Sequence, residues 1–135
     1  MFTQESVKIN RSTDVIYSFL SCLRDQMKCW DLITVKDLDN AGDEIVDLNG
    51  YFTVGNIRSD CKIELYRTRP KSGVVMKILW DTGELAAEWR VIDDGDSSRV
   101  ELNLEGSGGG LANKIILRQI GQRVISRVKS HFELA

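Results

Sequence analysis

The chain has 135 residues, of which 42% are hydrophobic and 28% charged, a balance that suits one domain with a single sizeable core and argues against a disordered tail or a membrane protein. Eighteen lysines and arginines against twenty aspartates and glutamates leave a net charge of −2, the wrong sign for a general nucleic-acid binder. No apolar run approaches the ~20 residues a bilayer span needs, and the opening Met1-Phe2-Thr3-Gln4-Glu5 has neither region of a signal peptide, so the expected location is the cytoplasm.

Phe2 to Ile9 alternate loosely, with Thr3, Glu5, Val7 and Ile9 on one side, and read as an edge or partly wet strand. Ser12 is the natural N-cap of a helix from Thr13 to about Leu23, with Asp14 in its first turn. Its stripe is Val15, Phe19, Cys22 and Leu23, flanked by Ile16 and Leu20, and Asp25 to Cys29 adds a short second turn before Trp30.

Beyond Trp30 the period drops to about two. Strands are expected at Leu32 to Leu38, at Glu44 to Val54 with a break at Asn49-Gly50, and at Ile57 to Arg69, separated by turns at Asp39 to Asp43 and at Gly55-Asn56. After a turn at Pro70 to Gly73 come three clearer strands. Val74, Met76, Ile78 and Trp80 share one face of the first, Leu85, Ala87, Trp89 and Val91 one face of the second, and Val100, Leu102 and Leu104 one face of the third. Hairpin loops at Asp81 to Gly83 and Asp93 to Ser98 join them.

The glycine run Gly106-Ser107-Gly108-Gly109-Gly110 lacks the Gly-Lys-Ser/Thr ending of a phosphate loop and reads as a joint into a long closing helix, Leu111 to Phe132. At roughly 100° per residue, Ile116, Leu117, Ile120, Gly121, Val124, Ile125, Val128 and Phe132 fall on one side of that helix. Lys114, Arg118, Arg123, Arg127 and Lys129, with no acid among them, make its outer face positive, opposite in sign to the acidic stretch Asp31 to Asp47.

The chemistry of sites is sparse. Cys22, Cys29 and Cys61 form no C-x-x-C pair and leave one over in any pairing, which fits reduced, small core residues. His131 is the single histidine, and no metal-ligand spacing accompanies it, so neither a metal nor a cofactor is expected. The inner rows of the three clear strands hold no acid, base or nucleophile. Tyr51, Tyr66, Asp60, Glu64 and His131 are the remaining catalytic candidates, and no catalytic set is assigned.

The element order is α+β: a strand, one or two short helices, about six antiparallel strands and a long helix. This order resembles the helix-grip superfamily that includes START lipid-transfer domains, polyketide cyclases and pollen-allergen-type ligand binders. The likeness is carried by Ser12-Thr13-Asp14-Val15-Ile16-Tyr17-Ser18-Phe19-Leu20, by Trp30, by Phe52-Thr53-Val54-Gly55-Asn56-Ile57 and by Gly108-Gly109-Gly110-Leu111 before the last helix. The last two stretches are most like the branch that holds the G subunit of carbon monoxide dehydrogenase. The resemblance implies a strongly curved antiparallel sheet of about six or seven strands wrapped around the C-terminal helix, with a hydrophobic cavity between them, and no particular reaction.

The resulting expectation is a binder or carrier of a lipid, quinone or polyketide-like molecule. The residues expected to line its cavity are Phe52, Val54, Ile63, Leu65, Met76, Ile78, Trp80, Ala87, Trp89, Leu102, Leu117, Gly121 and Val124. Two alternatives stand beside it: an accessory protein docking on a membrane surface or a partner through Arg118, Arg123, Arg127 and Lys129, and a cyclase- or hydrolase-like enzyme using Tyr51, Tyr66 or Glu64.

Overall fold

The structure, a computed structural model, describes residues 2–36, 46–54, 56–67, 73–109 and 113–133. In chain order its elements are β1 (Phe2–Ile9), α1 (Thr13–Leu20), α2 (Leu23–Gln26), a 3-10 turn (Met27–Cys29), β2 (Ile33–Val35), β3 (Val46–Val54), β4 (Ile57–Arg67), β5 (Gly73–Trp80), β6 (Gly83–Asp94), β7 (Ser97–Gly108) and α3 (Lys114–Glu133). The seven strands form one antiparallel sheet in the order β1-β7-β6-β5-β4-β3-β2. Each strand from β2 to β6 pairs with its successor, and β1 closes the far edge on β7.

Alternation decides which face is covered. Val74, Met76, Ile78 and Trp80 of β5, Leu85, Ala87, Trp89 and Val91 of β6, and Val100, Leu102 and Leu104 of β7 are all buried in one cluster. α3 lies against β1 and β7 and presents Leu117, Ile120, Val124, Ile125, Val128 and Phe132 to that cluster. Gly121 permits the close approach: a Cβ there would sit 3.3 Å from Glu5 Cγ and 3.4 Å from Leu104 Cδ1. α1 covers β5 and β6 instead.

Both ends of α3 are satisfied by side chains. Asn113 Oδ1 accepts from the amides of Ile115 (2.9 Å) and Ile116 (3.4 Å), a cap at the start of the helix. At the other end Arg11 Nη2 donates to the Phe132 carbonyl at 2.7 Å, and Ser98 Oγ donates to the Arg11 carbonyl at 2.8 Å.

Several expected boundaries shift. Ser12 does cap α1, its hydroxyl accepting from Val15 N at 3.4 Å, but the helix stops at Leu20 because Cys22 is extended (φ −100°, ψ 112°) and the chain restarts at Leu23. The buried face is Ile16, Phe19 and Leu20, while Val15, expected on the stripe, is 49% exposed. The second strand is only Ile33–Val35, and β3 passes through Asn49-Gly50 without a break. β7 extends to Gly108, since β6 pairs with it as far as Gly83↔Gly108; three residues of the supposed joint are therefore strand. Gly108 has φ +87°, a conformation that favours glycine. The turns expected at 39–43 and 70–72, and Gly55, Gly110 and Leu111, lie outside the described residues.

A long polar side chain, Gln26, is fully buried among the apolar ones. Gln26 Oε1 accepts from the indole N–H of Trp30 (3.2 Å) and of Trp89 (3.1 Å), and its Nε2 donates to the Leu20 carbonyl (2.7 Å). This knot joins α1, the turn after α2 and β6. Replacing it leaves two indole donors and a carbonyl buried without partners, each such group costing about 1–3 kcal/mol. Gln26→Leu is expected to lower unfolding stability by about 3 kcal/mol in urea titration; a loss below ~0.5 kcal/mol would show that the knot does not bind the layers together.

Burial also raises two thiols: Cys29 and Cys61 are each pushed up from 9.0 to about 11, chiefly by desolvation. The unfolded chain loses these protons first as pH rises. The stability they contribute is thus complete below about pH 9 and falls between pH 9 and about 11. Thermal melts across pH 8 to 11 should show this decline, reduced in a Cys29→Ala/Cys61→Ala protein; a decline of equal size in that variant would assign it elsewhere.

Candidate functional site

The inner face of β3 to β6 brings most of the expected cavity residues together. Ile63 pairs across strands with Ile78, Leu65 with Met76, and Met76 with Ala87. Trp89 lies opposite Leu102 on β7. All of these side chains are buried, as are Phe52, Leu117 and Val124, while Val54 is partly exposed. The two tryptophans stand at opposite ends of the β5–β6 hairpin, Trp80 opposite Gly83 and Trp89 opposite Val74, with Met76 and Ala87 between them. Trp80 donates to the Gly109 carbonyl at 3.2 Å and meets Phe52 edge to face at 5.3 Å; Trp89 is held by Gln26. Gly121 sits away from this group, against β1 and β7.

A cavity of about 180 Å³ opens at the border of this core, between the first half of α3 and the β2–β3 corner. Leu32, Val54, Ile116 and Ile120 form its apolar wall, and Thr53, Gln119 and Arg123 its polar rim. Of the residues anticipated from sequence only Val54 lines it. Leu32 lies just before β2, where a three-residue strand gives alternation little to work on. Ile116 and Ile120 were legible as part of the apolar stripe of α3, but the helix turns them toward the corner rather than toward the sheet centre.

The rim is electrostatically tied to the acidic segment. Asp31 Oδ2 pairs with Arg123, and with Arg127 at 3.2 Å. Lys129 pairs with Glu133 at 3.5 Å. Of the four cations expected to form a docking face, Arg118 is exposed and has no ion pair among the described residues. It stands beside Lys114 and Ile115, the latter 70% exposed, around a groove of about 510 Å³ completed by Gln119 and Gln122.

The catalytic candidates are placed differently. Tyr51, Asp60, Glu64 and Tyr66 occupy the strand parity opposite to Phe52, Cys61, Ile63 and Leu65, on the outer face of the sheet. Arg58 lies over the Tyr51 ring at 4.0 Å. His131 is exposed on the last turns of α3, its ring 4.3 Å from that of Phe19. Among the described residues no group of three or more His, Cys, Asp and Glu side chains is arranged to hold a metal ion, and no helix is long and apolar enough to cross a membrane.

No family model and no curated protein matches the sequence. Solved structures do match the fold along almost the whole chain. A START superfamily protein from Mycobacterium smegmatis superposes with a TM-score of 0.72 at 10% identity, covering 98% of this chain and 97% of that one. The major latex-like protein 151 of Panax ginseng does so with 0.69 at 9%, covering 98% and 97%. The Aha1 dimer from Colwellia psychrerythraea gives 0.61 at 14%, covering 99% and 97%. At such identities the likeness is one of architecture: the chain has the START-like helix-grip fold, a curved seven-stranded antiparallel sheet closed by a long C-terminal helix.

Proposed function

We propose that the protein binds a hydrophobic small molecule, such as a lipid, quinone or polyketide-like compound, at the cavity between the first half of α3 and the β2–β3 corner. The observation that carries this reading is the apolar wall of Leu32, Val54, Ile116 and Ile120 around about 180 Å³ of space, set against a greasy core. An apolar cavity of about 150 Å³ suffices for a benzene ring. The space therefore takes a ring or a short chain segment as it stands, and a larger ligand requires α3 to move away from Thr53 and Val54. The buried rows of β4 to β6, with Met76 among them, would then supply further apolar surface.

The START-like architecture supports the same reading at the level of fold. A cyclase-like reaction is less well supported, because Tyr51, Glu64 and Tyr66 are on the outer face. Extraction of purified protein and mass spectrometry should recover a lipid- or quinone-class compound, and Ile120→Trp, which fills the space, should reduce its recovery at least tenfold. Absence of any such compound from the native protein, together with unchanged Val54, Ile116 and Ile120 methyl resonances on titration with ubiquinone-1 and with dodecanol, would refute the reading.

A second reading is favoured by Ile115, exposed between two cations that have no ion pair among the described residues. An accessory role, as likeness to the G subunit of carbon monoxide dehydrogenase suggests, would place an acidic partner on Lys114, Ile115 and Arg118 rather than on Arg123 and Arg127. Lys114→Glu/Arg118→Glu is then expected to abolish co-purification of the partner while Arg127→Glu leaves most of it; equal effects of the two changes would contradict this placement.

A further inference from the structure

We propose that Arg123 recognises an anionic head group, so that the ligand of this cavity is an apolar molecule ending in a carboxylate or a similar small anion, and that Asp31 occupies that guanidinium until the ligand arrives. The proposal rests on the cavity reading above and names the class of compound it takes.

Among the described residues lining the cavity, Arg123 alone is charged. A guanidinium at the rim of an apolar wall is placed to meet the polar end of an amphiphile whose body enters between Val54 and Ile120. Its present partner is a carboxylate, Asp31, from the segment that leads into β2. Asp31 thus already demonstrates, within the chain, the chemistry that this group accepts.

Charge supports exchange. Asp31 Oδ2 is shared by Arg123 and Arg127, so among the described residues two cations face one carboxylate and the cluster carries a net charge of +1. Arg118 stands farther back along the same helix and adds to the positive potential. The Arg123 side chain is 59% exposed and that of Asp31 28%, so the pair remains in contact with water and is not locked by burial. Exposed ion pairs contribute little to stability, so releasing one costs little. A ligand carboxylate would restore the interaction while its apolar part is removed from water against Leu32, Val54, Ile116 and Ile120. The five N–H donors of a guanidinium let an incoming carboxylate engage Arg123 before Asp31 lets go, so the exchange needs no unpaired intermediate. Thr53 and Gln119, on the same rim, supply neutral hydrogen-bonding groups beside it.

The test compares matched probes, octanoate and 1-octanol, by titrating methyl-labelled protein and following Val54, Ile116 and Ile120. The intact protein should bind octanoate more tightly than octanol. Arg123→Gln should weaken octanoate about tenfold and leave octanol nearly unchanged. Asp31→Asn, which removes the competing carboxylate, should strengthen octanoate severalfold, again with little effect on octanol. Opposite signs in the two variants would not arise from a merely structural ion pair, whose loss from either side would affect both probes alike. Equal binding of both probes to the intact protein, or variants that shift both in the same direction, would overturn the head-group proposal alone. If neither probe perturbs the cavity methyls, the cavity reading fails as well. Circular dichroism of both variants checks that the fold is retained.

Discussion

The constraint behind this structure is one of coverage. A seven-stranded sheet with an apolar face is about 30 Å wide at ~4.8 Å per strand, whereas a helix with its side chains is only about 10 Å across. α3 therefore covers little more than two strands, and it takes β1 and β7, where Gly121 lets the two backbones approach. The central strands need a second cover, which α1, α2 and the turn after them provide. Gln26 ties that cover down by satisfying one indole on its own side and one on the sheet. Over the corner at β2 and β3 the first half of α3 stands without packing closely on the sheet, and the cavity lies there. The space follows from how two covers of unequal reach divide one curved sheet.

Most of this architecture was legible because antiparallel strands with one wet face write their burial into alternate residues. The inner rows of β5, β6 and β7 and the stripe of α3 follow directly. Local periodicity failed where tertiary contacts decide. Nothing in Ser21-Cys22 announces a break, yet the helix turns there, and the outward rotation of Val15 in favour of Ile16 depends on where the sheet lies. The glycine run became strand because β6 continues to Gly83 and offers it a partner.

The site was less legible than the fold, for a related reason. The contacts that make the core knot and the cavity rim join residues far apart in the chain: Gln26 with Trp89, and Asp31 with Arg123 and Arg127. A glutamine in a short polar helix carries no periodic signal of burial. The acidic stretch and the basic helix were visible as opposite charges, but which acid meets which base depends on how the chain after Trp30 passes the helix. That pairing changes the meaning of the basic face. Arg123 belongs to the rim of a cavity, and the helix surface without an intramolecular partner among the described residues is displaced toward Lys114 and Arg118.

On the reading we propose, the corner under the first half of α3 is an apolar receptor site and not simply a dent in the surface. Crystals pressurised with xenon test it most directly, since xenon occupies apolar cavities without needing hydrogen-bond partners. A xenon atom in contact with Leu32, Val54, Ile116 and Ile120 is expected. Ordered water bound by Thr53 and Gln119 at that place, with xenon absent, would contradict it.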